Sequence, residues 1–382
     1  AGYSLDCSIG GNGWNEPCLA QASPNDSPSK TEIDLVVNPL DPLNIVVASK
    51  DLDPVASPCV WAVVQVSKDG GHTWKTNYVG GPAAERSPGD VLYGYECITD
   101  PILTFNRDGD LFYNLQAYQQ QIESVVPGGL PNGANVAMMA MAISHDGGET
   151  WPEIIPEFFG DDLTIFPDYM RMGTNPQTGS VFAQWNTIVG LASSQPTLVT
   201  YRDGAPITQP WFFFTPEQPT GLGESSIVGG NDGTVYSLLG GFNSPGVAYM
   251  ATSTDDGMTF SVPTLQFEFT PMDDLEDVEF RTGTSVEMAI DTSGGDHDGC
   301  LYAAWADGSG DDQADILGRS SCDGGASWTE PVLVSSGPHG DAQFFPRVSV
   351  DGRGGIHVVY LTRAYDPAHH LVAPSIVRVG TE

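Results

Sequence analysis

Basic residues are scarce in this sequence. Its 382 residues include 14 lysines and arginines against 49 aspartates and glutamates, which gives a formal net charge of -35 at pH 7. Lysine occurs only at Lys30, Lys50, Lys68 and Lys75. A surface this acidic repels nucleic acid and anionic membranes, and it attracts cations. We therefore expect no nucleic-acid partner, and we expect either a saline habitat or bound Ca²⁺ to relieve the self-repulsion.

Long apolar runs are missing as well. No stretch reaches the roughly 18 apolar residues of a membrane-spanning helix, which argues against membrane insertion. The chain opens on AGYSLDC, which we interpret as the mature N-terminus of a secreted protein. There is no Gly-x-x-x-x-Gly-Lys loop, no Gly-x-Ser-x-Gly elbow and no His-Glu-x-x-His pair. These absences argue against nucleotide binding, esterase chemistry and zinc-protease chemistry, and we expect no organic cofactor.

Glycine and proline are abundant, with 45 and 29 residues, while charged residues make up only 16% of the chain. This composition is typical of many short strands joined by tight turns rather than of long helices. It predicts an all-β protein.

Six cysteines suggest disulfides. The runs CLYAAWA and ILGRSSC would place Cys300 and Cys322 opposite each other if they form an antiparallel hairpin. Cys7 and Cys18 lie close together in the chain and are predicted to pair with each other. Cys59 is then left to pair with Cys97. Other pairings stay open. No Cys-x-x-Cys or Cys/His spacing supports a zinc site. Three disulfides would imply an oxidising compartment, which means a secreted, periplasmic or cell-surface protein.

One octet occurs four times, as SKDGGHTW, SHDGGETW, STDDGMTF and SCDGGASW, and YRDGAPITQPW is a degenerate copy. The shared pattern is Ser-x-Asp-x-Gly-x-Thr/Ser-aromatic. An aspartate can accept backbone N–H groups within a turn, glycine supplies positive φ, and the aromatic ring can bury beneath the hairpin. We expect a structural role for the aspartates and aromatic residues of these octets: Asp69, Trp74, Asp146, Trp151, Asp255, Phe260, Asp323 and Trp328.

A hairpin pattern precedes each octet. Six segments alternate apolar residues around an Asn/Asp/Gly turn, beginning with IDLVVNPLDPLNIVVAS and ending with PRVSVDGRGGIHVVYLT. Each pair of hairpin and octet makes a unit of four strands, and repeated units of this kind are typical of a β-propeller. The sixth unit lacks an octet, and its last strand is predicted at SIVRVG. We expect one domain over residues 1–382, with an N-terminal extension over 1–30 and blades over 31–382.

The octets resemble the Asp-box of the sialidase-like superfamily, and the resemblance covers roughly residues 33 to 382. It implies a six-bladed β-propeller. It does not fix the activity, because the superfamily is similar across sialidases, other glycoside hydrolases, polysaccharide lyases and non-catalytic binding proteins.

The resemblance also implies a constellation of site residues. In sialidases three arginines hold the substrate carboxylate, a tyrosine activated by a glutamate acts at the anomeric carbon, and an aspartate is the acid/base. The matching arginines are Arg171, Arg281 and Arg347. The matching catalytic candidates are Asp100, Asp168, Tyr169 and Glu287. The early Phe/Tyr-Arg-Ile-Pro signature is missing, since the first blade reads SKTEIDLVV. The alternative is that these residues form ordinary ion pairs, turn caps and packing contacts.

Two acidic loops, DTSGGDHDG and GSGDDQAD, place oxygen ligands at alternating positions. They suggest a structural Ca²⁺ site with ligands among Asp296, Asp298, Asp311 and Asp312, although neither loop matches the EF-hand pattern. Solvated acidic loops are the alternative.

Two functions are therefore consistent with the sequence. The first is a secreted carbohydrate-active protein, a glycoside hydrolase or polysaccharide lyase of sialidase type, that binds a glycan or glycoconjugate at the mouth of the central channel. The second is a non-catalytic glycan- or protein-binding scaffold in the extracellular space or on the cell surface. An enzyme needs a carboxylate and at least two arginines within reach of one pocket, whereas a scaffold would leave them scattered in salt bridges.

Overall fold

The computed structural model describes residues 30–51, 60–81, 85–119, 137–160, 165–189, 193–212, 223–241, 245–275, 282–310, 314–335, 342–363 and 373–379. These segments form twenty-four β-strands and no α-helix. No helix in this part of the chain could cross a membrane. The predicted all-β class is confirmed.

The strands form six antiparallel sheets, and strands that follow one another along the chain are neighbours within a sheet. The first sheet comprises β1 (Lys30–Asn38), β2 (Asp41–Asp51), β3 (Trp61–Ser67) and β4 (Lys75–Tyr78). The second comprises β5 (Cys97–Phe105), β6 (Leu111–Tyr118), β7 (Ala137–Ser144) and β8 (Glu153–Gly160). The third comprises β9 (Ile165–Thr174), β10 (Val181–Val189), β11 (Ser193–Arg202), β12 (Ala205–Pro206) and β13 (Trp211–Phe212), the last two both pairing with β11.

The fourth sheet comprises β14 (Gly223–Gly229), β15 (Val235–Gly241), β16 (Gly246–Ser253) and β17 (Thr264–Phe269). The fifth comprises β18 (Val286–Ile290), β19 (Leu301–Asp307), β20 (Asp315–Ser321) and β21 (Val332–Leu333). The sixth comprises β22 (Gln343–Val350), β23 (Ile356–Thr362) and β24 (Ala373–Val379). Meandering sheets of this kind, one after another along the chain, are the blades of a β-propeller arrangement.

The number of complete blades differs from the prediction. Five sheets have four or more strands, whereas the sixth has three, so the described residues contain five complete blades rather than six. The segment SIVRVG was predicted as the last strand of the sixth unit. Its residues up to Val379 lie in β24, which pairs directly with β23 and is the last described strand of its sheet.

The single-domain prediction is not confirmed either. The chain divides into two compact units: Ala1–Met172 with Thr187–Ala192, and Gly173–Asn186 with Ser193–Glu382. Each unit has its own apolar core. In the first unit, Trp61, Leu111 and Tyr113 are fully buried among side chains of the first two sheets. In the second unit, one cluster surrounds Trp305 and another surrounds Phe344.

The central strands are covered on both faces. Every residue of β3 and of β7 is buried, and their sequences WAVVQVS and AMMAMAIS are nearly continuous apolar runs. Strands that are buried on both faces are typically apolar at consecutive positions, whereas half-exposed strands alternate. The composition of these runs therefore follows from their position in the sheets.

All four octets lie in the turn between the third and fourth strands of their sheets, and all four make the same hydrogen bonds. The serine hydroxyl donates to Oδ1 of the aspartate at 2.8 Å and accepts the N–H of the glycine at the fifth position of the octet at 2.8–2.9 Å. The aspartate accepts the N–H of the Thr/Ser at 2.8–2.9 Å and its hydroxyl at 2.5–2.6 Å. The side chains of the turn thus supply acceptors for backbone N–H groups of the same turn.

These bonds favour the ionised aspartate. Hydrogen bonds from the Thr73 and Ser327 side chains are the largest cause that lowers the pKa of Asp69 and of Asp323 to about 2. A carboxyl whose pKa is lower in the folded than in the unfolded state stabilises the fold above its unfolded pKa. This contribution is lost as the pH falls from about 4 towards 2.

The octet aromatics are half-buried rather than fully buried. The Trp151 ring packs edge-on against Tyr113, with 5.6 Å between ring centroids, and Trp328 packs likewise against Phe267 at 5.3 Å. Phe260 packs against an apolar cluster that includes Phe182. These rings connect each turn to the core beneath it.

One disulfide prediction is confirmed. Cys300 and Cys322 are bonded, with 4.1 Å between their Cα atoms, at the end of the β19–β20 hairpin. Cys97 at the start of β5 is also disulfide-bonded. Its predicted partner Cys59 and the predicted pair Cys7–Cys18 lie outside the described residues, as do residues 1–29 of the predicted extension.

One arginine holds the segment between β4 and β5. The Arg86 guanidinium donates to four backbone carbonyls, those of Gly80 (3.2 Å), Gly81 (2.9 Å), Leu92 (3.0 Å) and Tyr95 (3.0 Å). It also lies 4.3 Å from the centre of the Trp61 ring. Burial lowers the pKa of Arg86 to about 10, so the side chain stays charged at neutral pH. In the same segment the side chain of Tyr93 is exposed.

The octet bonds predict a specific loss of stability. Ser144→Ala would leave the N–H of Gly148 without its acceptor in a buried turn. We expect the free energy of unfolding to fall by about 1 to 3 kcal/mol. Urea denaturation measures this change. The exposed Ser309→Ala is the control and should stay within about 0.5 kcal/mol of the parent protein. Equal stability of the two variants would contradict the structural role of the octets.

The disulfide makes a second prediction. Cys300 and Cys322 are separated by 22 positions in the chain, and opening a loop of this length should cost about 3 kcal/mol. We expect the double variant Cys300→Ala/Cys322→Ala to unfold at a correspondingly lower urea concentration. Addition of a reductant should lower the free energy of unfolding of the parent protein. The variant has no disulfide in this loop that the reductant could break. A variant as stable as the oxidised parent would show that the crosslink contributes nothing.

Candidate functional site

In four of the six sheets, the first strand contains a non-glycine residue with positive φ: Glu32 (52°) in β1, Asp100 (53°) in β5, Tyr169 (56°) in β9 and Phe345 (53°) in β22. The strand register shifts around Glu32, Asp100 and Phe345, as it does at a β-bulge. The register of a fifth first strand, β14, shifts as well. Bulges redirect side chains and are enriched near active sites, and strained φ values cost on the order of 1–3 kcal/mol each. These positions are therefore candidates for function.

Two of these bulges bring carboxyl groups together in the first unit. Nζ of Lys50 lies 3.2 Å from Oε1 of Glu32 and 3.8 Å from Oδ1 of Asp100. The Thr99 hydroxyl donates to Oδ1 of Asp100 at 2.5 Å. The Glu32 side chain is 45% exposed and the Asp100 side chain 23% exposed, so both are accessible from solvent. We call Glu32, Lys50, Asp100 and Asp168 the carboxyl cluster.

The two neighbouring carboxyls of the cluster have pKa values shifted in opposite directions. Burial, followed by the hydrogen bond to Asp100 and its negative charge, raises the pKa of Glu32 to about 7, against the opposing effect of Lys50. Burial also acts to raise the pKa of Asp100, but hydrogen bonds with Glu32, Thr99 and Asp168 and the charge of Lys50 bring this pKa below its usual value. Neighbouring carboxyls of this kind share protons, because two adjacent negative charges repel. Glu32 is the protonated partner and Asp100 the ionised one.

Tyr113 borders the cluster from the core. Its side chain is fully buried, and its hydroxyl has no hydrogen-bond partner within the described segments. Burial and the charge of Asp100 raise the pKa of Tyr113, so its phenol stays neutral. A neutral phenol beneath an ionised carboxylate adds no further charge to the cluster.

The structure brings together some of the residues that the resemblance implied. Asp168 hydrogen-bonds to Asp100. Oδ1 of Asp168 also accepts the N–H of Tyr169, whose side chain is 52% exposed. Arg171 lies two residues further along β9 and donates to the carbonyl of Met170 at 2.9 Å. Glu32 and Lys50 were missed by sequence reasoning, because nothing in the alternation of SKTEIDLVV marks the bulge that places Glu32 next to Asp100.

The second unit holds another polar group. Nη1 of Arg347 donates to Oε2 of Glu287 at 2.9 Å. The Ser226 hydroxyl lies 3.4 Å from the same oxygen and accepts the N–H of Met288 at 2.9 Å. The Glu287 side chain is 8% exposed, whereas that of Arg347 is 51% exposed. A buried carboxylate thus holds an arginine that remains accessible to a ligand.

The predicted arginine cluster stays a prediction. Arg171 belongs to the first unit and Arg347 to the second, and Arg281 lies outside the described residues. Arg347 shares its position with Arg171, because each follows a positive-φ residue of a first strand by two positions. The spacing in FPDYMR and QFFPR could have revealed this equivalence.

The predicted calcium ligands do not converge in the described part of the chain. Asp296 is exposed, and Oδ1 of Asp298 already accepts from Asn231 at 2.7 Å and from the N–H of Gly294 at 3.1 Å. Asp311 and Asp312 lie outside the described residues. Within the described segments, one group of three His, Cys, Asp or Glu residues has ligand atoms within 4.8 Å of one another: His297, Cys300 and Cys322. Its two sulfur atoms are bonded to each other, so it is not a metal site.

The sequence matches no protein-family profile, and comparison with curated proteins finds no similar sequence. The fold, by contrast, is similar to solved structures. A Hadza microbial sialidase, Hz136, superposes with a TM-score of 0.61 at 14% sequence identity, over 96% of this chain and 71% of that one. The NanB sialidase from Streptococcus pneumoniae gives 0.55 at 11% identity, over 94% and 69%. A protein of unknown function from Dyadobacter fermentans gives 0.55 at 15% identity, over 92% and 95%.

These similarities extend along nearly the whole chain, and at such low sequence identity they concern the fold alone. For the fold, they confirm the resemblance that the octets suggested. The chain has a β-propeller fold similar to that of these solved sialidases.

Proposed function

We propose that the protein binds a glycan and cleaves a glycosidic bond, with the carboxyl cluster as its acid/base. The observation that carries this proposal is the placement of two solvent-accessible carboxyls, Glu32 and Asp100, around Lys50, where burial and the neighbouring Asp100 raise the pKa of Glu32 to about 7. Glycoside hydrolysis requires a carboxylic acid that is still protonated near neutral pH, so that it can protonate the leaving-group oxygen. An isolated glutamate, with a pKa near 4.3, would have lost this proton.

Each residue of the cluster has a role in this proposal. Glu32 would donate its proton to the leaving-group oxygen as the glycosidic bond breaks, and it would regain a proton from the water that adds to the anomeric carbon. Asp100 carries the negative charge, and Lys50 limits the charge that accumulates. Because Glu32 and Asp100 are hydrogen-bonded, they act as one acid/base group rather than as two carboxylates on opposite sides of a sugar ring. Asp168 supports Asp100, and the exposed ring of Tyr169 can stack on a sugar.

We further propose that Arg171 in the first unit and Arg347 in the second unit can each bind an acidic group of a glycan, since a guanidinium binds a carboxylate through two parallel hydrogen bonds. Glu287 would hold Arg347 in place, while 51% of the arginine side chain is exposed. The Cys300–Cys322 disulfide supports a location in an oxidising compartment, outside the cytoplasm.

The second candidate is glycan binding without hydrolysis. It is favoured by the ion pair of Arg347 with Glu287 at 2.9 Å, and by the hydrogen bond of Arg171 to the backbone carbonyl of Met170. A binding scaffold without catalytic activity would hold its arginines through such interactions with other protein groups. Turnover distinguishes the two candidates, because both bind sugars.

The first functional prediction concerns Asp100. We expect Asp100→Asn to lower kcat by roughly a hundred-fold or more on any glycoside that the parent protein cleaves, because general acid/base catalysis contributes about this much. Release of 4-methylumbelliferone from a panel of fluorogenic glycosides measures the rate. The exposed Asp108→Asn on the turn between β5 and β6 is the control and should keep the parent rate.

An Asp100→Asn variant with the parent rate would contradict the proposed acid/base role. Absence of turnover by the parent protein on every glycoside, with retained binding to a glycan array, would instead establish the non-catalytic candidate.

The second functional prediction concerns Glu32 and does not depend on a substrate. Because the folded pKa of Glu32, about 7, lies above its unfolded value, its contribution to stability is fully present below about pH 4.5 and decreases as the pH rises through 7. We therefore expect Glu32→Gln to remove part of the stability loss of the parent protein between pH 5 and pH 8, a range set by these two values.

Urea denaturation at several pH values measures this difference. The exposed Glu330→Gln is the matched control and should follow the parent protein at every pH. If the parent and the Glu32→Gln variant lose stability in parallel, Glu32 does not retain a proton in the folded state.

A further inference from the structure

A carboxylate oxygen in the second unit lacks a hydrogen-bond partner. Asp291 begins the turn between β18 and β19, and only 1% of its surface is exposed. Its Oδ1 accepts the N–H of Ser293 at 2.7 Å. Its Oδ2 is buried and has no hydrogen-bond donor among the residues that the structure describes. Buried polar atoms in folded proteins almost always have a partner, which is a protein group, a water molecule or an ion.

The space beside this oxygen is kept open by a glycine. Gly354 lies in the turn between β22 and β23, with a φ of +79°. A Cβ atom at this position would lie 3.1 Å from Oδ2 of Asp291 and 3.4 Å from Oγ of Ser293. Oγ of Ser293 accepts the N–H of Gly295 at 3.2 Å, so it presents an oxygen in the same region. The two oxygens therefore face the backbone of a neighbouring turn across a gap that any side chain would fill.

The electrostatic surroundings favour a cation there. The segment from residue 291 to 299 contains three aspartates and no lysine or arginine, and the whole chain carries a net charge of -35. Asp351 in the neighbouring turn is occupied by other groups, since its Oδ1 accepts the N–H groups of Arg353 and Gly355 and its Oδ2 pairs with His357. Asp291 is thus the acidic group that remains available beside Gly354.

We propose that Oδ2 of Asp291 and Oγ of Ser293 bind a calcium ion in the gap beside Gly354. Carboxylate and hydroxyl oxygens are hard ligands, and Ca²⁺ accepts irregular oxygen sites completed by carbonyls and water. A site with a single carboxylate binds weakly, with a Kd on the order of 10⁻⁴ to 10⁻³ M, as in extracellular calcium modules. The ion would join the β18–β19 turn to the β22–β23 turn. This site is distinct from the Asp296 and Asp298 ligands that the sequence suggested.

The test is a calorimetric titration of chelator-treated protein with CaCl₂. We expect one binding event in the stated range and a higher melting temperature at saturating Ca²⁺. Asp291→Asn, which keeps the shape and removes the charge, should weaken binding about ten-fold or more. Asp296→Asn removes the same charge from an exposed position of the same loop and should change the Kd less than about two-fold.

A second pair of variants tests the gap directly. These variants can be measured even if Asp291→Asn does not fold. Gly354→Ala places a methyl group against Asp291 and Ser293. Gly294→Ala carries a comparable strain, with a φ of +73°, but its Cβ meets no atom within 4 Å. We expect both to be less stable than the parent, and only Gly354→Ala to lose the stabilisation by Ca²⁺. Absence of Ca²⁺ binding by the parent, or equal binding by the two glycine variants, would overturn the proposal.

Discussion

The serine–aspartate–glycine–threonine hydrogen bonds of the octets are the constraint on which the sheets depend. A turn between two strands exposes backbone N–H groups that must be paired or hydrated, and in the four octets the side chains of the turn supply the acceptors themselves. The third and fourth strands of these sheets are therefore joined by a turn in which backbone N–H groups find their acceptors within the turn itself. Because the turn supplies its own hydrogen-bond acceptors, the same octet can recur while the strands around it differ in sequence.

The first strands share a second recurring feature, which is a non-glycine residue with positive φ. Whereas the octets have a structural role, these positions are candidates for function. Three of the four octets place their positive φ values at glycine, the exception being Asp256 (62°), whereas the bulges place positive φ at Glu32 and Asp100, where carboxyl groups meet. One consequence is chemical, because a carboxyl pair held in close contact cannot ionise fully at neutral pH. The rigid turns and the buried central strands supply the stability that offsets this arrangement.

Sequence reasoning succeeded where the physics is local. The octets occupy the predicted turns, and Cys300 bonds to Cys322 because a hairpin places them opposite each other. It failed where two distant segments determine the result. The contact of Glu32 with Asp100 depends on two bulges in different sheets, and no alternation of apolar residues reveals a bulge. The buried oxygen of Asp291 likewise depends on a glycine 63 positions away in the chain, whereas the sequence drew attention to the exposed aspartates of the same loop.

The way in which Arg86 holds the segment between β4 and β5 has a further consequence. One side chain ties four backbone carbonyls together, and backbone carbonyls are present whatever the side chains of the segment are. The path of the segment is thus independent of the identity of its exposed residues, among them Tyr93. Such a segment can exchange its exposed residues during evolution without a change in shape, while the surrounding sheets are inherited intact.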